Sequence, residues 1–139
     1  MDILILFYNT MWGFPLEFRK EDLPGGCVIT TDRNLIAKAD AVVFHLPDLP
    51  SVMEDEIDKR EGQLWVGWSL ECEENYSWTK DPECRESFDL WMGYHQEDDI
   101  VYPYYGPDYG KMLVKARREK HYKKKACMVI SSASHRSHR

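Results

Sequence analysis

The chain has 139 residues, of which 43% are apolar and 30% are charged, and its net charge is −6; these values exclude a wholly disordered chain and are typical of about one globular domain. No apolar run approaches the roughly 20 residues that a transmembrane helix requires, and the N-terminal residues lack the basic region of a secretory signal. We therefore expect a cytoplasmic protein, at most peripheral to the inner membrane, without a transmembrane segment.

Strands and helices are predicted to alternate along the chain. Short apolar or β-branched runs predict strands at residues 3–8, 27–31, 41–46, 63–69, 90–95, 100–104 and 126–131. Helical patterns cover residues 34–38 with Asp32 as the cap, residues 51–60 beginning at Ser51, and residues 107–120. This alternation predicts an α/β fold with a mostly parallel, open sheet and flanking helices.

Polar and aromatic residues follow several of the predicted strands directly. Ligands of open parallel sheets bind beyond the carboxyl ends of the strands, so the residues at those ends are candidates for a binding site. They are residues 9–12, His45, Glu71, Tyr94 and His95. The alternative for His45 is a histidine buried at the end of a strand with its hydrogen bonds satisfied.

Glu71 is the first carboxylate after the predicted strand at residues 63–69. A glutamate that is held at a strand end can act as a general base. The alternative is an acid that stabilises the N-terminus of a helix through the helix dipole, a role that Glu73 and Glu74 fit better. The position of Glu71 by itself therefore leaves a catalytic role open.

The charged residues are divided unevenly between the two ends of the chain. Residues 1–110 carry 8 basic and 23 acidic side chains, a net charge of −15, whereas residues 111–139 carry 10 basic and one acidic side chain, a net charge of +9. This asymmetry indicates a binding tail or a chain that crosses a domain boundary. The basic cluster at residues 111–125 has few aromatic neighbours, so we expect a solvated helix face with a linker, and no nucleic-acid partner.

The sequence contains none of the common metal-binding or nucleotide-binding motifs. The four cysteines show no C-x-x-C spacing, which indicates buried or incidental thiols: Cys27, Cys72, Cys84 and Cys127. His135 and His138 are three residues apart but lack cysteine or carboxylate partners nearby, so no metal site is expected. The G-x-G-x-x-G, P-loop, G-x-S-x-G and H-E-x-x-H patterns do not occur.

Residues 62–105 carry a more specific pattern than the rest of the chain. They include GQLWVGWSLECEENYS and, further on, SFDLWMGYHQEDDIVYPYYG. This pattern resembles the α-1,3/4-fucosyltransferases, most closely their bacterial α-1,3 members. The pattern of that family runs in the same order: a Trp-Val strand, a Glu-containing loop, a Phe-Asp pair, an aromatic Met-x-Tyr strand, an acidic turn and a Val/Tyr-Pro-Tyr-Gly close. The last residues, KKKACMVISSASHRSHR, resemble the linker and the opening strand of that family's second domain.

The resemblance implies an inverting glycosyltransferase with the two-domain GT-B fold. Residues 1–119 would form a Rossmann-like acceptor-binding domain, and residues 120–139 the linker and first strand of a donor domain that the chain otherwise lacks. The implied reaction transfers L-fucose with inversion from GDP-fucose to the N-acetylglucosamine of a β-galactosyl-N-acetylglucosamine acceptor, without a further cofactor or a metal. The chain alone is expected to be inactive. The alternatives are a non-catalytic carbohydrate-binding α/β module, an inert fragment or an unrelated nucleotide-binding domain.

By the same resemblance, Glu71 matches the family's catalytic base. Arg139 matches the arginine that contacts the donor diphosphate, and Arg136 is the alternative. The expected contacts with an acceptor of the N-acetyllactosamine type are Trp12, His45, Trp68, Tyr94 and His95, and the alternative for the aromatic residues is core packing. Residues 126–131 are an apolar strand whose sheet partners belong to the rest of the donor domain, so we expect this strand to pair with a second copy or with an edge of its own domain.

Overall fold

A single parallel sheet organises the part of the chain that the structure describes. The structure is a computed structural model, and it describes residues 2–52 and 55–103. The strands are β1 (Ile3–Phe7), β2 (Cys27–Thr30), β3 (Ala41–His45), β4 (Leu64–Trp68), β5 (Leu90–Gly93) and β6 (Ile100–Val101). They lie in the order β2-β1-β3-β4-β5-β6, and every neighbouring pair is parallel. The predicted α/β fold, a Rossmann-like open sheet, is confirmed.

The hydrophobic core covers both faces of the central strands. Alternate side chains of a strand point to opposite faces of the sheet; accordingly, Val42 and Phe44 of β3 pack in one cluster with Leu6, and Val43 packs in another with Val66. Burial of this kind explains why the central strands read as continuous apolar runs. The edge strands are less covered, since both residues of β6 are exposed.

Short 3₁₀ helices provide most of the connections in the described residues. They span Lys20–Asp22, Arg33–Lys38, Leu46–Val52 and Ser77–Lys80, and one α-helix, α1, spans Pro82–Glu86. The predicted cap is confirmed, because the side chain of Asp32 accepts a hydrogen bond from the N–H of Asn34 at 3.0 Å. The helix that it caps is a 3₁₀ helix of six residues rather than an α-helix.

The predicted helix at residues 51–60 is wrong. The 3₁₀ helix ends at Val52, residues 55–60 are irregular, and residues 53 and 54 are not described. The irregular backbone lets side chains of this segment reach residues that flank two different strands. Asp55 accepts from the hydroxyl of Tyr8, directly after β1, at 2.8 Å, and Nζ of Lys59 lies 2.6 Å from the carboxylate of Asp89, directly before β5. A regular helix would replace these long-range contacts with local ones.

The strands β5 and β6 are shorter than predicted and are parallel, although only residues 94–99 connect them. In this connection an acidic side chain serves as acceptor for the backbone of a strand. The carboxylate of Asp99 accepts from the N–H of Trp91 in β5 at 2.8 Å. The predicted helix at residues 107–120 and strand at residues 126–131 lie outside the described residues, as does the predicted domain boundary after residue 119. Within the described ranges, no helix is long and apolar enough to cross a membrane.

Candidate functional site

The carboxyl ends of β1, β3 and β4 lie side by side because β3 pairs in parallel with both of its neighbours. His45 ends β3 and stands opposite Trp68, which ends β4. Asn9 follows β1 and continues the pairing with its side chain, which donates to the His45 carbonyl at 2.8 Å and accepts from the His45 N–H at 2.7 Å. The carboxyl-terminal edge of the sheet, which these strand ends form, therefore holds a group of polar and aromatic side chains, as expected for the ligand-binding end of a parallel sheet.

The imidazole of His45 is enclosed by aromatic rings and is 2% exposed. Its centroid lies 4.8 Å from the ring of Trp12 and 5.0 Å from that of Trp68, and its Nδ1 lies 3.4 Å from Oδ2 of Asp48. Burial lowers the pKa of His45 below its usual value, whereas the charges of Asp48 and Glu71 act in the opposite direction. The imidazole is therefore neutral near pH 7.

Trp12 is the exposed aromatic residue at this edge, with 41% of its surface exposed. Its φ of +51° lies in the left-handed region, which is unfavourable for a residue with a Cβ. Gly13 follows at a φ of +77°, and hydrogen bonds of 3.1 and 3.3 Å between Met11 and Phe14 close the turn. The N–H of Trp12 donates to the carboxylate of Asp48. Backbone conformations of this kind concentrate at functional sites.

Glu71 lies in a bend beyond the end of β4 and is half-buried. Its N–H donates to Oγ of Ser69 at 3.2 Å. The next helix begins only at Ser77, so the alternative role of Glu73 and Glu74 as acids at a helix N-terminus is wrong. Glu71 thus stands as a strand-end carboxylate, the arrangement that its sequence position predicted.

Side-chain contacts attach the loop after β4 to its neighbours. Oε1 of Glu73 lies 3.5 Å from Nε2 of His95, and the indole Nε1 of Trp12 lies 3.4 Å from the hydroxyl of Tyr76. The ring of Tyr94 stacks on His95 with centroids 4.2 Å apart. Two of the predicted acceptor residues, Tyr94 and His95, are therefore linked to the same loop that carries the predicted base.

Trp68 lies behind His45 in the core. It is 8% exposed, and its ring meets Phe7 edge-on with centroids 5.9 Å apart. Its Nε1 is buried and has no hydrogen-bond partner among the described residues, which is uncommon for a buried donor. Trp68 thus fits the core-packing alternative considered for the aromatic residues, and it reaches the site through its contact with His45.

A cavity of about 180 Å³ adjoins the carboxyl ends of β1 and β2. Its polar lining includes Asn9, Thr10, Thr31 and Arg33. The guanidinium of Arg33 is held there because its Nε donates to the Tyr8 carbonyl at 2.8 Å and its Cζ lies 4.6 Å from the centroid of the Tyr8 ring. Hydroxyls and a fixed guanidinium at the end of the sheet suit a ligand rich in hydroxyl groups.

Two members of this edge were not predicted from the sequence. Asp48 follows Pro47 in the 3₁₀ helix after β3, and the rule that located His45 could have been extended to this next polar residue. Tyr76 lies beyond β4 in an irregular segment and follows no pattern that would have indicated it. Both residues contact Trp12 from other parts of the chain.

Other predicted site residues lie outside the part of the chain that the structure describes. Arg136 and Arg139, predicted to contact the donor diphosphate, are not among the described residues, and neither is the segment 126–131. In residues 2–52 and 55–103, no group of three or more His, Cys, Asp or Glu side chains is arranged to hold a metal ion. The donor contacts remain predictions.

Acidification is expected to destabilise the fold through His45. Burial lowers its folded-state pKa, so its contribution to stability is fully present above the unfolded value of about 6.5 and is lost as the pH falls toward the folded value. Urea denaturation at about pH 7.5 and 5.5 should show a lower free energy of unfolding at the acid pH, and His45→Gln should reduce this difference. The control is His95→Gln, an exposed histidine. An NMR titration that gives His45 a pKa above 6.5 would contradict the prediction.

The amino-acid sequence matches known proteins over the residues that build this edge. The family model described as "Fucosyltransferase, N-terminal" matches residues 1–105. The chain belongs to the fucosyltransferase family. The match includes Trp12, His45 and Glu71, so the residues that meet at the sheet edge are part of the family domain.

Individual relatives of this chain are named as α-1,3- and α-1,4-fucosyltransferases. The chimpanzee (Pan troglodytes) 4-galactosyl-N-acetylglucosaminide 3-alpha-L-fucosyltransferase FUT6 is 32% identical over 114 residues, which cover 73% of this chain and 30% of the relative. Mouse (Mus musculus) alpha-(1,3)-fucosyltransferase 7 is 32% identical over 105 residues, covering 68% and 26%. The orangutan (Pongo pygmaeus) 3-galactosyl-N-acetylglucosaminide 4-alpha-L-fucosyltransferase FUT3 is 30% identical over 115 residues, covering 73% and 29%. The chain thus spans less than a third of the length of these relatives, and the resemblance to the α-1,3/4-fucosyltransferases is confirmed.

Proposed function

We propose that this chain is the acceptor-binding part of an inverting α-1,3-fucosyltransferase of GT-B fold, related most closely to bacterial members. The reaction transfers L-fucose from GDP-fucose to the N-acetylglucosamine of a β-galactosyl-N-acetylglucosamine acceptor. The observation that carries the proposal is the position of Glu71, a half-buried residue beyond the end of β4, at the same end of the sheet as the exposed indole of Trp12. A base at this edge can take the proton of an acceptor hydroxyl, and an aromatic surface beside it can pack against the sugar ring.

In this mechanism Glu71 accepts the proton of the acceptor hydroxyl as its oxygen attacks the anomeric carbon of fucose. The new C–O bond forms on the face opposite the diphosphate, the bond to the diphosphate oxygen breaks, and the electron pair leaves with GDP. Inversion follows from this geometry. The neutral imidazole of His45 supports the step, because it does not pair with the carboxylate of Glu71 as a cation would.

The departing diphosphate requires positive charge. Arg139, with Arg136 as the alternative, is proposed for this contact, since a guanidinium can bind phosphate oxygens in a bidentate manner. The donor is then the only further small molecule that the reaction needs. We also propose that residues 120–139 are the linker and first strand of a donor domain, and that residues 126–131 pair with a second copy or with an edge of their own domain.

On the acceptor side, the exposed face of Trp12 is proposed to pack against the apolar face of a sugar ring. An indole combines a broad apolar face with a polar N–H, so it can cover the C–H groups of a sugar while the hydroxyls stay in water. Tyr94 and His95 form a second aromatic pair beyond the loop of Glu71. Their stacked rings offer a contact for the other sugar of a disaccharide acceptor.

Acceptor binding without turnover is the second candidate function. The observation that favours it is the cavity lined by Asn9, Thr10, Thr31 and Arg33, which suits a ligand rich in hydroxyl groups and has no carboxylate in its lining. A site of this kind can bind a sugar without a general base. Both candidates predict acceptor binding by this chain, and only the first predicts fucose transfer by a complete protein that contains it.

Saturation-transfer NMR with N-acetyllactosamine tests acceptor binding by the chain itself. We expect transfer to the sugar protons and a dissociation constant in the millimolar range, and no binding of GDP-fucose at micromolar concentrations. Trp12→Ala should weaken binding by about tenfold or more and reduce the transfer accordingly. The control Trp78→Ala removes a half-buried indole from the lining of a different cavity and should retain the wild-type transfer. A wild-type chain that shows no transfer from millimolar N-acetyllactosamine would overturn the proposal.

A further inference from the structure

One carboxylate joins three elements of the candidate site. Asp48 lies in the 3₁₀ helix after β3, and its side chain is 17% exposed. Its Oδ2 accepts from the N–H of Trp12, which is 36 residues away in the sequence, and lies 3.4 Å from Nδ1 of His45. The same atom thus contacts the loop after β1 and the imidazole at the end of β3.

The backbone of Trp12 needs such a contact. A residue with a Cβ rarely adopts the left-handed region, and the φ of Trp12 is +51°. Gly13 has no Cβ, so only the first central position of the turn carries a conformational cost. The charged hydrogen bond from Trp12 to Asp48 offsets this cost, because hydrogen bonds to ionised acceptors are stronger than neutral ones.

The indole of Trp12 is bounded on two further sides. The ring of His45 meets it at 82° with centroids 4.8 Å apart, and the Tyr76 hydroxyl lies 3.4 Å from its Nε1. The ring of His45 has a fixed place, since the Asn9 side chain holds its backbone in two hydrogen bonds. Together with the hydrogen bond from the Trp12 backbone to Asp48, these contacts define the position of the indole relative to the end of the sheet.

We propose that Asp48 is a positioning residue that sets the place of Trp12 relative to Glu71, and with it the affinity for the acceptor sugar. This inference rests on the proposed function, in which Trp12 packs against the acceptor. Asp48 does not touch the acceptor itself; it acts through the Trp12 backbone and the His45 ring. Loss of this carboxylate should displace the indole and leave the base in place.

The first test observes the indole N–H resonances of the isotope-labelled chain, with that of Trp12 assigned by its loss in Trp12→Phe. Asp48→Ala should shift and broaden this resonance, because the N–H of Trp12 then loses its acceptor and only the hydrogen bonds between Met11 and Phe14 hold the turn. Asp48→Asn should leave it close to its wild-type position, since an amide oxygen can still accept the N–H of Trp12. The control is Glu86→Gln, which removes one charge from the exposed end of α1.

The second test measures acceptor affinity in the same variants. Asp48→Ala should weaken the binding of N-acetyllactosamine by about tenfold, the scale of one lost aromatic contact, while Asp48→Asn and Glu86→Gln should stay within about threefold of the wild type. In a complete protein, Asp48→Ala should raise KM for the acceptor with little change in kcat, a split that a merely structural loss of active enzyme would not produce.

The outcomes separate this inference from the proposed function. Wild-type affinity in Asp48→Ala, or an unchanged Trp12 resonance, overturns the role of Asp48 while acceptor binding by the wild type upholds the proposed function. If the wild-type chain binds no acceptor, the proposed function is overturned. The effect of Asp48 on affinity is then overturned with it, whether or not the Trp12 resonance changes in Asp48→Ala. If Asp48→Ala does not fold, Asp48→Ser replaces it, because a serine is too short to reach the N–H of Trp12.

Discussion

Replacing Glu71 with Gln is expected to lower fucose transfer by a complete protein containing this chain by about 100-fold or more, the scale of a lost general base. Glutamine keeps the size of the side chain and its place beyond β4, so the fold and the acceptor site should stay intact. The loss should appear in kcat, since deprotonation of the acceptor hydroxyl belongs to the chemical step. A transfer assay with GDP-fucose and N-acetyllactosamine measures it.

The matched control is Glu74→Gln in the same loop. Glu74 pairs with Lys80 and is exposed, so its loss should leave turnover within a fewfold of the wild type. Both variants should keep the wild-type melting temperature within a few degrees. Near-normal turnover in Glu71→Gln would exclude the role of Glu71 as the base, and equal losses in both variants would indicate an effect of the loop rather than of one carboxylate.

Replacing Gly93 with Ala is expected to lower the free energy of unfolding. A Cβ on Gly93 would collide with the carboxylate of Asp98 and come within 3.1 Å of the Ser69 carbonyl. Asp98 cannot easily move, because it is buried, accepts from the N–H of His95 at 3.0 Å and lies 3.8 Å from Arg85. We expect a loss of about 1–3 kcal/mol, as for other overpacked sites.

Thermal unfolding of the chain measures this effect. A loss of 1 kcal/mol lowers the melting temperature by roughly 4–8 °C in a domain of this size. The control is Gly25→Ala, because a Cβ at Gly25 meets no atom within 4 Å and its φ is not in the left-handed region. A melting temperature of Gly93→Ala equal to that of the wild type would show that the Asp98 carboxylate moves aside at little cost.

The strands could be predicted well because their signals are local. The run at β3 is continuous and apolar, since both faces of this central strand are covered, and prolines follow it directly. The predicted helix at residues 51–60 failed for the opposite reason. Its capping pattern is local, but Asp55 and Lys59 bind partners directly after β1 and directly before β5, and those contacts outweigh a pattern of helix propensity.

The site could be predicted only in part. Strand-end position indicated Trp12, His45 and Glu71, because parallel strands bring their carboxyl ends to one edge whatever the details of packing. Asp48 and Tyr76 were missed. The strand-end rule could have been extended to Asp48, but no spacing rule predicts its contact with Trp12 across 36 residues or that of Tyr76 across 64 residues. The family resemblance added the role of Glu71, which the residue pattern alone had left open.

The sequence by itself determined the alternation of elements, the parallel sheet and the family, because apolar periodicity, turn residues and motif order are properties of neighbouring residues. Only the tertiary structure decided that Trp12 adopts a left-handed backbone, that His45 is buried and neutral, and that Asp48 contacts both. These features depend on which side chains the fold brings together and on how much water it removes from them. A carboxylate can offset a left-handed backbone, and burial can lower the pKa of a histidine, only after the sheet has formed.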